Sequence, residues 1–359
     1  MTMNRRSFMK ASGMAAALGV TGLAGCNGII GGGGSGPTSW QYDPETLSST
    51  QMRMFGSMQY GDLYEMRDEL PGSMGSAFET ESTSSVSQED IDMFSGVAGG
   101  QLSMETQSGS FFGSMVITGE FDPDAIGQEM ASSGNTQESG EYEGYTLYEG
   151  ANLDQELPGG SMPGQTPTDA TATVAVSADA VVFGVTVDQG TDLGVNGQQS
   201  VEAMIDANSG SGTRLADAND HVSQLHSKLG GDTMVVGGDV DPELLEMAQE
   251  QSGAGMGSQM MNGLRAAGFS AGIDPSTTTY TFALIYESSQ AAEDSGIVGL
   301  VNMMSQQASE SEEINSIDAN QDGSSIVVTV EGDTQALLSQ GQNQVPMGSM
   351  SAGAIPGDV

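Results

Sequence analysis

Cysteine and histidine are scarce in this sequence of 359 residues, and each scarcity excludes a class of chemistry. The single cysteine, Cys26, has no second cysteine with which to form an internal disulfide. The only two histidines, His221 and His226, lie close together in one segment. A zinc site or a type-1 copper site needs several nitrogen or sulfur ligands, so both are excluded.

Basic residues are also few, with 8 lysines and arginines against 48 acids and a net charge of -40. Phosphate recognition needs clustered basic side chains, so nucleic acid and anionic lipid headgroups are not expected as partners. The acids recur throughout the chain, and their mutual repulsion opposes a compact state in dilute buffer. At molar salt the Debye length falls to about 3 Å and screens this repulsion.

This acidity, combined with 52 glycines, resembles the composition bias of proteins from extreme halophiles such as haloarchaea. The resemblance implies a protein that folds in concentrated salt. The alternative is a wholly disordered acidic chain, which high net charge also favours. Regular strand and helix patterns in the sequence argue against disorder.

The first residues lack the roughly 20 apolar residues that a membrane-spanning helix needs. Residues 11–25 are uncharged but short, and they follow a basic segment, which is the layout of an export signal. Arg5, Arg6, Phe8 and Lys10 resemble the twin-arginine signal. The resemblance implies that the twin-arginine translocase is a partner during export. A chance arginine pair is the alternative.

A second short motif closes the uncharged stretch. Leu23, Ala24, Gly25 and Cys26 resemble a lipoprotein box, which implies that the Cys26 thiol takes a lipid and becomes the new N-terminus. One lipid chain gives only marginal membrane binding, so we expect a two-chain lipid. A buried free cysteine is the alternative. The glycine- and serine-rich residues that follow predict a flexible tether.

One segment occurs twice, at an offset of 119 residues, and it begins at Ser114 and again at Thr233. Each copy reads as a short apolar strand, a glycine turn and an aspartate followed by proline. Aspartate caps a helix, and proline suits the first helical position. The repeat therefore predicts helices that begin at Pro123 and Pro242.

The elements after the two copies follow a similar order, which predicts an α+β fold of two similar sheet-plus-helix repeats. Each repeat is predicted to be roughly ferredoxin-like, with the order βαββα(β). The arrangement resembles tandem-repeat secreted proteins of prokaryotes, a resemblance that implies no activity. Alternating or helix-spaced apolar residues predict strands at 172–177, 180–187, 268–273, 278–286 and 325–330, and helices around 91–97, 201–205, 222–229 and 297–304.

The predicted organisation has five parts. Residues 1–25 form the signal peptide and 26–50 the tether. Residues 51–208 form the first α+β repeat and 209–340 the second. Residues 341–359 are predicted to be a disordered tail.

Three further patterns have a functional and a structural interpretation. The 24 methionines could bind Cu(I) through thioethers, but methionine more often fills irregular cores. Asp318 to Gly323 resembles half of a calcium loop, yet position 12 is Thr329, so a polar turn before the last strand is favoured. His226 lies on the apolar face of its helix. It is interpreted as a residue at the boundary of the core whose ring has its hydrogen-bond partners. The methionine groups are Met52, Met54 and Met58; Met256, Met260 and Met261; and Met347 and Met350.

No catalytic, cofactor-binding or metal-binding constellation stands out, since the only two histidines lie in one segment and no phosphate-cradling loop occurs. We therefore predict a non-enzymatic lipoprotein on the extracellular face of the cytoplasmic membrane. It would be a structural or interaction module of the cell envelope, with a protein or small-solute partner. The alternative is a solute-capture lipoprotein serving an importer. That alternative requires a cleft lined by aromatic residues and a basic residue such as Arg214 or Arg265.

Overall fold

The computed structural model describes residues 36–70, 78, 85–103, 108–133, 136–150, 169–188, 192–252, 256–308 and 314–338. The predicted signal peptide, Cys26 and the predicted tail at 341–359 lie outside these residues. The described part contains twelve strands. They are β1 (Met52–Gln59), β2 (Ile91–Ser103), β3 (Ser108–Gly119), β4 (Thr136–Tyr142), β5 (Tyr145–Gly150), β6 (Asp169–Val176), β7 (Ala180–Asp188), β8 (Met234–Val240), β9 (Leu264–Ile273), β10 (Thr277–Tyr286), β11 (Ile314–Asp322) and β12 (Ser325–Asp333).

All twelve strands belong to one antiparallel sheet in the order β11-β12-β10-β9-β8-β1-β2-β3-β7-β6-β5-β4. β1 lies near the middle and pairs with β2 on one side and with β8 on the other. Both predicted repeats thus contribute strands to a single sheet.

The helices of the described part pack on the two faces of this sheet. They include α1 (Tyr60–Glu65), α2 (Pro123–Ser133), α3 (Gly197–Ser209), α4 (Leu215–Ala218), α5 (Asp220–Leu229), α6 (Pro242–Ser252), α7 (Met256–Met261), α8 (Ser289–Asp294) and α9 (Ile297–Ala308). Residues 334–338 are also helical. Short 3-10 turns cover Pro37–Trp40, Pro44–Thr46, Arg67–Glu69 and Gln88–Asp90.

Side-chain caps fix where several helices begin. The Asp122 carboxylate accepts from the backbone N–H of Ala125 at 3.1 Å, at the start of α2. Asn196 and Gln199 form a reciprocal capping box at α3. The predicted helix starts at Pro123 and Pro242 are confirmed.

The main hydrophobic core lies on one face of the sheet, called here the covered face. α3 brings Val201 and Met204 onto it, and α5 brings Val222 and Leu225. Near the sheet centre Phe55 packs in the same core. Burial of such apolar side chains contributes roughly 1.5–3 kcal/mol each.

A glycine contact sets how closely α3 approaches the sheet. A Cβ on Gly184 of β7 would lie 2.2 Å from the carbonyl oxygen of Gly197, the first residue of α3. Any larger residue would force the helix away, so this position requires glycine.

The expectation of two ferredoxin-like repeats is not confirmed. In the first half, the hairpin of β4 and β5 that follows α2 lies at the outer edge of the sheet, while β7 lies beside β3. In the second half, the hairpin of β9 and β10 lies directly beside β8. The hairpin that follows the helix is therefore outermost in the first half of the sheet and innermost in the second half.

The helix predicted around residues 91–97 is wrong, because this segment begins β2. Its short apolar run suits either a helix or a buried strand by periodicity alone. Pairing with β1 on one side and β3 on the other decides the outcome in favour of a strand. Glycines at 96, 99 and 100 also disfavour a helix.

Both outer strands of the sheet are irregular and carry acids. β4 has a register shift between Glu138 and Gly140, and β11 has one between Ile314 and Ser316. Acidic residues recur along both strands: Glu138 and Glu141 in β4, Asp318 and Asp322 in β11.

Candidate functional site

The residues of the export motif and the lipoprotein box lie outside the described residues, so Arg5, Arg6, Phe8, Lys10, Leu23, Ala24, Gly25 and Cys26 stay predictions at the structural level. The functional candidates within the fold are its cations, its buried histidine and the surfaces of its sheet.

Arg53 is held in an ion pair on the covered face. Its Nε donates to Asp239 Oδ1 at 2.9 Å, its Nη2 pairs with Asp239 Oδ2, and its Nη1 lies 3.2 Å from Glu45 Oε1. The Asn219 amide also donates to Asp239 Oδ2 at 2.9 Å. These contacts join β1, β8 and the start of α5, so the group has a structural role.

The two arginines proposed for solute capture are already engaged within the chain. Arg214 Nε donates to the Ala207 carbonyl at 3.0 Å. Arg265 pairs with Glu287. Lys228 pairs with Asp322 at 2.7 Å, and the Arg67 guanidinium lies 4.2 Å from the centre of the Tyr64 ring. Every lysine and arginine after residue 10 thus has an intramolecular partner.

His226 lies on the inner side of α5, against Phe55. Burial lowers the pKa of its imidazole to about 4, so the ring is neutral near pH 7. Its Nε2 is inaccessible to solvent and has no hydrogen-bond partner among the described residues. The predicted position of His226 at the boundary of the core is confirmed. The hydrogen-bond partner that was expected for its ring is not found among the described residues.

The calcium-like segment is part of a β-strand. Asp318 to Asp322 belong to β11, and the turn comes afterwards, at Gly323, where φ is 62°. Across the described ranges, no group of three acidic, histidine or cysteine side chains is arranged to hold a metal ion. The favoured interpretation of a polar turn before the last strand is correct in type, although the turn starts later than predicted.

The methionine groups have different surroundings. Met52, Met54 and Met58 alternate along β1 and share one side of it, while Met260 packs beside Tyr286. Met347 and Met350 lie outside the described residues.

The second face of the sheet is only partly covered. At one flank α1 and α2 cover it, with Tyr60 of α1 against Phe94 and Ile126 of α2 against Tyr148. At the other flank Ile297 of α9 packs against Tyr286. Between these flanks the cover is incomplete. Leu63 of α1, Leu70 and Leu338 pack with Met58 of β1 and Ile273 of β9 at one end of these strands, while Met54 of β1 and Phe282 of β10 stay exposed.

We call the surface between the flanks the apolar trough. It is formed by Met54 of β1, Val236 of β8, Phe269 of β9, and Tyr280 and Phe282 of β10. Strand register places Gly56 opposite Val236, Val236 opposite Phe269, and Phe269 opposite Phe282, so one row crosses four strands. The Phe269 ring lies 4.9 Å from that of Phe282 and 5.6 Å from that of Tyr280.

Large apolar side chains of the trough contact solvent. Met54 is 48% exposed and Phe282 is 37% exposed. Beside Met54 the floor is low, because Gly56, Gly96, Ala98, Gly238 and Ala267 occupy the same side of their strands. Contiguous exposed apolar surface of this kind marks interaction sites.

Sequence reasoning missed the trough, although one signal was present. In β1 the residues Met52, Met54, Gly56 and Met58 alternate with Arg53, Phe55 and Ser57, which is the period of a strand with two different sides. Taken alone, the methionine group indicates only a metal site or a core. No pattern in the sequence places Met54 on the same side of one sheet as Val236 and Phe282, because these residues are far apart along the chain.

Comparisons with known proteins agree with the export motif. The description "TAT (twin-arginine translocation) pathway signal sequence" matches residues 2–22. The chain is therefore an exported protein, made with a twin-arginine signal. In the described ranges, no helix is both long enough and apolar enough to cross a bilayer.

The structural neighbours are distant. Crystal forms IV, III and I of TP0453 are similar at 10%, 9% and 8% sequence identity, with TM-scores of 0.38, 0.39 and 0.36. The likeness covers 85%, 85% and 86% of this chain and 98%, 96% and 97% of those chains. TM-scores this low carry no argument about function. No curated protein matches the sequence.

Proposed function

We propose that this exported protein is a non-enzymatic, lipid-anchored module of the cell envelope, tethered through Cys26 on the outer side of the cytoplasmic membrane. Its sheet presents the apolar trough as an interaction surface. The observation that carries the proposal is an open apolar surface, with Met54 48% exposed, on an exported chain. An exposed surface of this kind favours a binding role.

The engaged cations favour an interaction module over capture of an anionic solute. Arg214 and Arg265, the two basic residues that such a solute would need, have partners within the chain. Releasing Arg214 would leave the part-buried Ala207 carbonyl without its donor, which costs free energy, whereas water would replace Arg265 at the half-exposed Glu287 carboxylate. A solute-capture role therefore requires an uncharged ligand.

Cys26→Ser tests the anchor. The variant should appear in the medium rather than in the membrane fraction, because the serine hydroxyl does not take the lipid. Asn27→Ser, a change at the next residue, should remain in the membrane fraction. Unchanged membrane association of Cys26→Ser would contradict lipidation at this sulfur.

A further inference from the structure

We propose that the apolar trough binds the hydrocarbon chain of an uncharged lipid or amphiphile. This inference rests on the proposed function, because it names the partner class of the same surface. The size, the charge and the amino-acid composition of the trough support it.

The trough has the dimensions of an elongated apolar ligand. From β1 to β10 it crosses three strand spacings of about 4.8 Å, or about 14 Å. Along β1 it follows Met52, Met54 and Gly56 and ends at Met58, which packs against α1. The glycine leaves the floor low in the middle, while Phe269 and Phe282 form an aromatic side.

Charge is missing from the trough and present at its ends. Away from the strand ends this side carries only uncharged residues: Met52, Met54, Gly56 and Met58 in β1, Met234, Val236, Gly238 and Val240 in β8, and Ala267, Phe269 and Ala271 in β9. Arg265 lies at the bulge that begins β9 and pairs with Glu287. Acids follow at both strand ends, with Asp62 and Glu65 on α1 and Glu243 and Glu246 on α6.

This distribution of charge favours some ligands of the trough over others. An anionic headgroup would face acids at either end, with the cations of the fold already paired. A second copy of the chain would set these flanking acids against the same acids of its partner, and molar salt does not screen charges in direct contact. An uncharged hydrocarbon chain meets neither penalty.

The composition also suits a flexible chain. Methionine is unbranched and polarizable, so the exposed side chain of Met54 can adapt to ligands of different shape. Ring edges of Phe269 and Phe282 offer a firm surface beside them. Most of a bound chain could thus leave water without any polar group of the protein losing a partner.

The test uses the exported chain carrying Cys26→Ser, kept in molar KCl, and N-phenyl-1-naphthylamine, an uncharged dye that fluoresces in apolar surroundings. We expect saturable binding that hexadecan-1-ol displaces more readily than hexadecanoate. Met54→Glu, which places a carboxylate in the trough, should weaken binding at least about tenfold. Met303→Glu is the matched control, because Met303 is 56% exposed on α9, and it should bind as the parent does.

Several outcomes would overturn the inference. They are unsaturable binding, equal loss in both variants, and hexadecanoate as the better competitor. Binding only after removal of residues 340–359 would make the chain's own C-terminus the occupant. A dimer that Met54→Glu dissociates, without dye binding, would make it a second copy. If the C-terminus or a second copy is the occupant, the trough is still an interaction surface, and the proposed role in the envelope stands. If Cys26→Ser stays bound to the membrane, only the proposed lipid anchor is contradicted.

Discussion

The imidazole of His226 and the phenyl ring of Phe55 lie 4.1 Å apart, centre to centre, at a tilt of 31°. The contact joins α5 to the central strand β1 on the covered face. It keeps a titratable ring in apolar surroundings, and the folded chain is consequently sensitive to acid at this point.

His226 should make the fold less stable as the pH falls. Above pH 6.5 the ring is neutral in both the folded and the unfolded chain, so its contribution is constant. Below that pH the unfolded chain takes up a proton, while burial holds the pKa in the folded chain at about 4. The free energy of unfolding should drop by about 1.4 kcal/mol per pH unit until pH 4.

Urea unfolding at pH 7 and pH 5 in molar KCl measures this effect. His226→Leu should lose roughly 2 kcal/mol less than the parent between these pH values. His221→Leu, a change at the other histidine, should keep the parental slope. Equal slopes for the parent and His226→Leu would refute the assignment.

Asp239→Ala should destabilise the fold by about 3 kcal/mol, because it leaves the Arg53 guanidinium and the Asn219 amide without their buried acceptor. The exposed pair of Lys228 and Asp322 provides the control. Asp322→Ala should leave the urea midpoint unchanged, since water replaces the lost partner. A similar midpoint for both variants would show that the Arg53 pair is dispensable.

Gly184→Ala should destabilise the fold by about 1–3 kcal/mol, because the added Cβ would overlap the Gly197 carbonyl and push α3 off the sheet. Gly299→Ala is a matched change in α9, where an added Cβ meets nothing within 4 Å. That change should stabilise by about 0.5–1 kcal/mol. Thermal unfolding of both variants measures the difference, and a neutral Gly184→Ala would contradict the close approach.

Salt should be required for folding. With a net charge of -40, the chain should give an ordered far-ultraviolet circular dichroism spectrum in molar KCl and lose it in dilute buffer. At about 1 M salt the Debye length is about 3 Å, which screens all but adjacent charges. A spectrum that does not change with KCl would count against the halophilic interpretation.

Local signals in the sequence predicted the elements that depend on neighbours in the chain. The helix starts at Pro123 and Pro242 follow from an aspartate cap and a proline, both of which act within one turn. The helix at 222–229 and the strand at 325–330 also follow from short-range periodicity.

Features that depend on strand pairing between distant parts of the chain could not be predicted from local signals. β2 was predicted to be helical because its run from Ile91 to Val97 is apolar, and only β1 and β3 make it a strand. The trough requires the register that aligns Gly56, Val236 and Phe282 across the sheet. That register is set by tertiary contacts, which one sequence does not encode locally.

The irregular outer strands have a consequence for a chain displayed in many copies. An open strand edge can pair with the edge of a neighbouring molecule and so seed a fibre. In β4 the shift at Glu138 and Gly140, and in β11 the shift at Ile314 and Ser316, break the even ladder that such growth requires. Carboxylates along the same strands repel an incoming copy. A crowded layer of these molecules can therefore stay composed of separate units.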